Sequence, residues 1–443
     1  MLATTSFCGY ACSLKTLGIS NESGIAQLSD ADLSEHPLTP DTPYDRSVGI
    51  IVNALSLFKP LLAPLGAQQL SRVPSFGILS THPPTPCGIA TFSAALSDGL
   101  EAKGAVVTVV RVADEFPSAR KNVIGELVNG SPKSVAECSE LLNQSDIAVI
   151  QHEYGIYGGP DGGEVVAVMA GLRVPSVVVA HTVLKDPTPQ QQSVLEAVVE
   201  AADRVVVMSE AARHRLGAGY AIDRAKVVTI PHGAAVPGTA TGRRLRRPTI
   251  LTWGLLGPGK GIERVIDAMV SLKDLPGQPR YLVAGRTHPK VLAAEGEAYR
   301  EGLVEQARRL GVAASVSFDP VYRSSADVIE LVQSAAVVVL PYDSRDQVTS
   351  GVLVDSVASG RPIVATAFPH AVELLGSGAG ITVAHDDPDA MVNALRRLLT
   401  DPRAAGAMAA ESRELAPTMA WPIVADTYVA LAQRLLGARL ALT

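Results

Sequence analysis

The stretch AAVVVLPYDSRDQVTSGVLVDSVASGRPIVATAFPHAVE, residues 335–373, decides the fold. Val337–Leu340 is a short run of β-branched and aliphatic residues, the pattern of a strand buried on both faces of a parallel sheet. A polar loop follows. Thr349 or Ser350 is suited to cap a helix whose first residues, Gly351 and Val352, keep free backbone N–H groups. Gly360 before Arg361-Pro362 stops that helix within about three turns. Free amides at a helix start just beyond a parallel strand form a phosphate site. Asp355, five residues after Ser350, is within reach of a ribose hydroxyl.

The same alternation extends over most of the chain. Strands are predicted at 76–81, 105–112, 146–153, 175–182, 204–209 and 226–230, with helices at 89–103, from 164, and at 189–203. Residues 231–248 (PHGAAVPGTATGRRLRRP) lack apolar period and read as a linker. A second set then begins: strands at 249–253, 280–285, 315–318 and 380–384, and helices at 261–272, 289–310, 326–334, 388–400 and 420–436. Strand–helix alternation implies right-handed βαβ units, hence two tandem doubly wound, Rossmann-like α/β domains with a cleft between them. The expected division is an N-terminal extension over 1–70, a first domain over 71–237, a linker over 238–248 and a second domain over 249–415. A C-terminal helix over 416–443 would pack back towards the first domain.

Composition narrows the function classes. The 443 residues are 47% hydrophobic but only 4% aromatic, which suits parallel sheets under Ala-rich helices. A net charge of −6 without a basic stripe argues against a nucleic-acid partner. The four cysteines, Cys8, Cys12, Cys87 and Cys138, form no CxxC pair and read as reduced thiols. No apolar run is long enough to span a membrane and no secretory signal is evident, so a cytoplasmic protein is expected. Residues up to Arg46 read as disordered. Gly49–Leu65 is apolar; it reads as a helix packed on the body, with peripheral membrane contact as the second reading. Oligomeric state is not set by the sequence.

Ligands of open α/β sheets lie beyond the carboxyl ends of the strands. In the second domain these ends carry GLLGPGKG at 254–261, Gly285-Arg286, the loop 342–349 and 366–369. Lys260 opens a helix, where a cation is disfavoured unless it meets an anion. It is either a solvated loop lysine or, with Arg286 and the amides of Ser350 and Gly351, part of a phosphate cradle. In the first domain Gly88 allows close backbone approach after the first strand, and Thr91 adds a hydroxyl. His181 ends a strand, where a histidine serves either structure or ligand. His152 and Glu153 precede the Gly-rich YGGPDGG; they serve closure or simply orient that loop. His232 reads as structural, and Glu295, Glu297 and Arg300 as solvated ion pairing on one helix. No cluster has metal-ligand spacing, and no GxGxxG follows the first strand.

Order and spacing over roughly 75–437 resemble retaining glycosyltransferases of the GT-B fold, family 4. The resemblance rests on Gly254, Lys260 and Gly261, on the frame PY…SxASG…RPIVAT, and on Glu373. It implies that Lys260 holds a donor diphosphate, that His181 faces the transferred sugar, and that a Glu-x7-Glu pair contacts sugar and ribose. Here Leu255 stands where the family has Arg, and Gln347 and Asp355 occupy the two Glu positions. Arg286 is the expected substitute for the missing Arg. The implied catalytic set is His181, Lys260 and Gln347. The implied donor-binding set is Gly88, Gly254, Lys260, Arg286, Thr349, Ser350, Gly351 and Asp355. The implied reaction moves a hexose, with retention and without metal or cofactor, from a nucleotide-diphosphate sugar to a carbohydrate or glycolipid acceptor. A catalytically silent nucleotide-sugar binder and a sugar-nucleotide 2-epimerase are the alternatives.

Overall fold

The computed structural model describes residues 72–115, 117–238 and 247–441, all within one compact unit. The expected extension over 1–70, including Gly49–Leu65, lies outside the described residues, as does most of the linker.

Two parallel sheets carry the chain. The first has seven strands in the order β3-β2-β1-β4-β5-β6-β7. They are β1 Phe76–Ser80, β2 Val107–Val112, β3 Val123–Leu127, β4 Ile147–His152, β5 Ser176–Ala180, β6 Arg204–Val207 and β7 Val227–Thr229. The second has six in the order β10-β9-β8-β11-β12-β13. They are β8 Thr249–Trp253, β9 Arg280–Ala284, β10 Val316–Asp319, β11 Val337–Leu340, β12 Ile363–Thr366 and β13 Ile381–Val383. Every residue of β1, β4, β5, β11 and β12 is buried, because helices cover both faces. In both sheets the chain order reverses beside the first strand, and such switch points open crevices at the strands' carboxyl ends.

Several elements depart from the sequence reading. β3 and the helix Pro132–Leu142 lie in a stretch with no predicted elements. The outer strand β3 has mostly exposed or half-buried residues and contains a glycine, so its apolar signal is weak. The single helix expected over 289–310 is two, Pro289–Glu295 and Ala298–Arg309, separated at Gly296, whose φ of +63° ends the first. Helices Pro369–Leu375 and Pro402–Leu415 are additional. The terminal helix Trp421–Leu440 lies on the first domain's Gly88–Glu101 helix, placing Val424, Tyr428 and Leu431 in one apolar cluster with Phe92 and Leu96.

Candidate donor site at the strand ends

Two glycines let the loops of the second sheet converge. Gly261 has φ +62°, and a Cβ there would collide with the Pro341 carbonyl oxygen. Gly285 has φ +133°, and its Cβ would strike the Gly254 carbonyl oxygen. Only glycine permits these approaches. They bring the 254–261 loop against both the β9 and β11 ends, with Asp343 N–H donating to Gly259 O at 3.0 Å. Lys260 consequently lies over the Tyr342 ring, 4.5 Å from its centroid. Arg286 is exposed at the end of β9, with no ion pair among the described residues. The Arg300 guanidinium donates to Gly285 O and Thr287 Oγ1, both at 3.1 Å, so this arginine braces the β9 end and is more than a solvated ion-pair partner.

The helix Gly351–Ala358 begins beside these loops. Ser350 is its cap, its hydroxyl accepting from Leu353 N–H at 3.3 Å. Among the described residues the N–H groups of Gly351 and Val352 have no protein acceptor. Val352 faces Gly254: a Cβ on that glycine would lie 3.7 Å from Val352 Cγ2. Asp355, three residues on, shares that helix face. Its carboxylate has no hydrogen-bond partner among the described residues, and burial pushes its pKa up to about 7.

One expectation needs correction. The Ser350 N–H is not available to phosphate, because it donates to Nδ1 of His370 at 2.9 Å. The N–H groups left without a protein acceptor at this helix start, among the described residues, are those of Gly351 and Val352. Gln347 is also engaged within its own loop: its Nε2 donates to Thr349 O at 2.9 Å. Among the described residues Thr349 Oγ1 is buried without a partner.

The 346–350 loop is irregular, yet each of its carbonyls is satisfied, as buried backbone requires. Asp346 O accepts from Arg215, Gln347 O from His370 N–H, Val348 O from Ser209 Oγ, Thr349 O from Gln347 and Ser350 O from Val354 N–H. Two of these donors, Ser209 and Arg215, come from the first domain, where Ser209 caps the helix Glu210–Gly219. In return the Glu373 carboxylate accepts the first two N–H groups of that helix, Glu210 at 2.9 Å and Ala211 at 2.8 Å. Each domain completes backbone hydrogen bonding in the other.

The facing wall is rich in imidazole. Phe92 packs edge-on against His181 at 5.0 Å, His232 at 4.9 Å and Trp421 at 5.2 Å. His181 Nε2 meets Gln151 Oε1 at 2.7 Å, an acceptor, so Nδ1 keeps a lone pair. Burial, aided by His232 and His152, lowers the His181 pKa to about 3. His232 Nδ1 meets Gly233 O at 2.8 Å, and a Cβ on Gly351 would lie 2.9 Å from its Nε2. The histidine read as structural thus lies against the start of the Gly351–Ala358 helix. Among the described residues His82 and His152 are buried with no partner to either ring nitrogen, and burial lowers each to about 4. All of these rings are neutral near pH 7. Thr182 Oγ1 donates to Glu153, whose pKa burial raises, and Lys290 reaches across towards Gly155. Gly88 opens its helix with nothing within 4 Å of where a Cβ would stand. Structure thus brings together Gly254, Lys260, Arg286, the 347–351 loop and Asp355 on one side, and His181 on the other. His370, Glu373, Ser209 and Arg215 complete the arrangement without any marked sequence signal beyond their polarity at strand and helix ends.

Comparison with known proteins follows this division. Residues 86–236 match the family model described as Glycosyltransferase Family 4, and residues 240–415 the one described as Glycosyl transferases group 1. A D-inositol 3-phosphate glycosyltransferase of Kineococcus radiotolerans is 29% identical over 272 residues, covering 56% of this chain and 60% of the relative. That of Corynebacterium urealyticum is 28% identical, covering 55% and 59%. The chain therefore matches about three fifths of the length of these relatives. A third, from Kribbella flavida, is 27% identical and covers 76% and 84%. Among solved structures, a sucrose-phosphate synthase from Thermosynechococcus elongatus superposes with TM-score 0.64 at 18% identity, covering 82% of this chain and all of that one. An Anabaena protein solved in complex with UDP-glucose gives TM-score 0.61 at 17% identity, covering 83% of this chain and all of that one. With two consecutive glycosyltransferase models spanning two tandem parallel sheets of matching fold, the chain belongs to the GT-B glycosyltransferases.

Proposed function

We propose that this chain transfers a hexose from a nucleotide-diphosphate sugar to a hydroxyl acceptor, with retention at the anomeric carbon. The observation that carries the donor assignment is Asp355: a half-buried carboxylate with no hydrogen-bond partner among the described residues, on the helix whose Gly351 and Val352 amides are likewise unclaimed there. A ribose diol would donate two charge-assisted hydrogen bonds to that carboxylate. The diphosphate would then meet the helix amides, with Lys260 and Arg286 offsetting its charge. Fixed donors aimed at the leaving phosphate favour charge separation as the glycosidic bond breaks. The leaving phosphate oxygen would take the acceptor's proton while the new bond forms on the same face. His181, neutral and with Nδ1 as acceptor, would receive a sugar hydroxyl. No metal or cofactor is part of this reading.

Relatives named as inositol-phosphate glycosyltransferases add a phosphorylated cyclitol to the carbohydrate and glycolipid acceptors worth testing. One observation favours donor binding without turnover: Gln347 spends its amide on Thr349 O, at the position where the resemblance expects a carboxylate near the sugar. A panel of UDP- and GDP-sugars, read by thermal shift and by nucleotide release with and without inositol phosphate, decides. Stabilisation grows with ligand as RT ln(1 + [L]/Kd). Release supports the transferase, stabilisation alone supports the silent binder, and neither outcome with any donor refutes the donor site.

A further inference from the structure

We propose that His370 is a positioning residue for the donor site, pinning the 347–350 loop and thereby setting donor affinity; this rests on the donor-site reading above. Its backbone N–H donates to Gln347 O at 3.3 Å, and its Nδ1 accepts the Ser350 N–H at 2.9 Å. A single residue therefore holds both ends of a four-residue loop that has no regular structure of its own. Its position favours that task. His370 opens the helix Pro369–Leu375 directly behind β12 and is 4% exposed, so the ring has little freedom.

The bond has two consequences. Accepting at Nδ1 requires a neutral ring with its proton on Nε2, and burial, with His232 nearby, lowers the His370 pKa to about 3, so the bond persists across the working range. It also turns the Ser350 amide away from any phosphate, directing an incoming diphosphate to the next two amides, those of Gly351 and Val352. Without the imidazole, Ser350 N–H would be a buried donor lacking an acceptor, and the loop would rearrange to satisfy it. Thr349 Oγ1 and the Gln347 amide move with that loop, so its register determines whether they face the donor.

Two variants separate positioning from packing. His370→Phe keeps the ring volume but removes the acceptor. His370→Asn places Oδ1 where Nδ1 was while losing most of the ring. Hydrogen exchange of the unliganded chain, followed over 345–353, reads the pin directly, and titration with UDP and UDP-glucose reads its effect on the site. His370→Phe is expected to accelerate exchange of this segment at least tenfold and to weaken nucleotide binding at least fivefold. His370→Asn should stay within threefold of wild type in both. Wild-type exchange in His370→Phe overturns the pin, and so does exchange in His370→Asn as fast as in His370→Phe. Faster exchange with unchanged nucleotide affinity overturns the link to the donor. If wild type binds no nucleotide sugar, the donor-site reading and the affinity role fall together. Because exchange is measured without ligand, that outcome is distinguishable from failure of the pin.

Discussion

Replacing Asp355 by Asn should make the unliganded protein more stable at alkaline pH while crippling nucleotide binding. The carboxyl's pKa lies about three units above its ordinary 3.8, with burial as the cause. Between those two values the folded state holds a proton that the unfolded state has released, so stability falls as pH rises from about 4 to 7 and levels off above. At about 1.4 kcal/mol per unit the ceiling is about 4 kcal/mol; water reaching a partly accessible carboxylate reduces it to about 2. Asn removes that cost. Its Tm advantage should be near zero at pH 4 and reach about 3 °C at pH 8, since each kcal/mol moves a large unit by about 1–2 °C. Nucleotide affinity should meanwhile drop by about 10- to 100-fold, the worth of hydrogen bonds to a charged acceptor. Wild-type affinity should itself rise with pH up to about 7, because ribose hydroxyls donate to the ionised form. Differential scanning fluorimetry at pH 4, 6 and 8, with and without UDP, tests all three. An advantage equal at pH 4 and 8 would refute the burial argument, and unchanged UDP binding would refute the ribose assignment.

The remaining expectations concern the loops around that carboxylate. Lys260→Met should weaken donor binding about tenfold or more by titration, yet leave the unliganded Tm within about 2 °C, because a half-buried cation over one ring contributes only about 1 kcal/mol. Arg286→Ala should likewise lower donor affinity without altering unliganded stability, and affinity equal to wild type would remove Arg286 from the site. Gly261→Ala combines a positive φ with a collision against Pro341 O, so a loss of about 3 kcal/mol or more, or failure to fold, is expected in chemical denaturation. Glu373→Ala should cost about 1 kcal/mol, the loss of a helix cap, and speed hydrogen exchange at 210–212 in the other domain.

Much of the architecture was legible because buried parallel strands announce themselves. Val337–Leu340 and Pro388–Thr400 were readable to the residue, being a β-branched run before a proline and a Pro-started amphipathic helix. Val123–Leu127 was not, because the outermost strand of a sheet needs little apolar surface. The break at Gly296 was hidden by strong helix formers on both sides. At the site, Ser350 was identifiable as a cap and Asp355 as a carboxylate one turn in, since both depend on local spacing. That the Ser350 amide is spoken for was not readable. Its acceptor, His370, is twenty residues away and arrives through the pairing of β11 with β12. Ser209 and Arg215 were hidden for the same reason: their acceptors are loop carbonyls in the other domain, which carry no side-chain signature.

These long-range bonds divide the site chemically. At the proposed nucleotide end, among the described residues, the Asp355 carboxylate and two helix amides have no hydrogen-bond partners, and Lys260 and Arg286 stand free of ion pairs. On the proposed reading, every group there would gain by binding a diol and a diphosphate. Where the proposed donor would place its sugar, much of the polar capacity is already used: Gln347 Nε2 donates to Thr349 O, Ser350 N–H to His370, and each carbonyl from Asp346 to Ser350 already accepts. A sugar entering there must displace an existing bond or settle for Gln347 Oε1, Thr349 Oγ1 and the neutral rings opposite. Binding energy should therefore come mostly from the nucleotide, and discrimination among sugars should be weak in affinity. Nucleotides lacking a sugar should bind nearly as tightly as the corresponding nucleotide sugars. Any preference among hexoses would then emerge in turnover, where displacing Gln347 from Thr349 O becomes part of reaching the transition state.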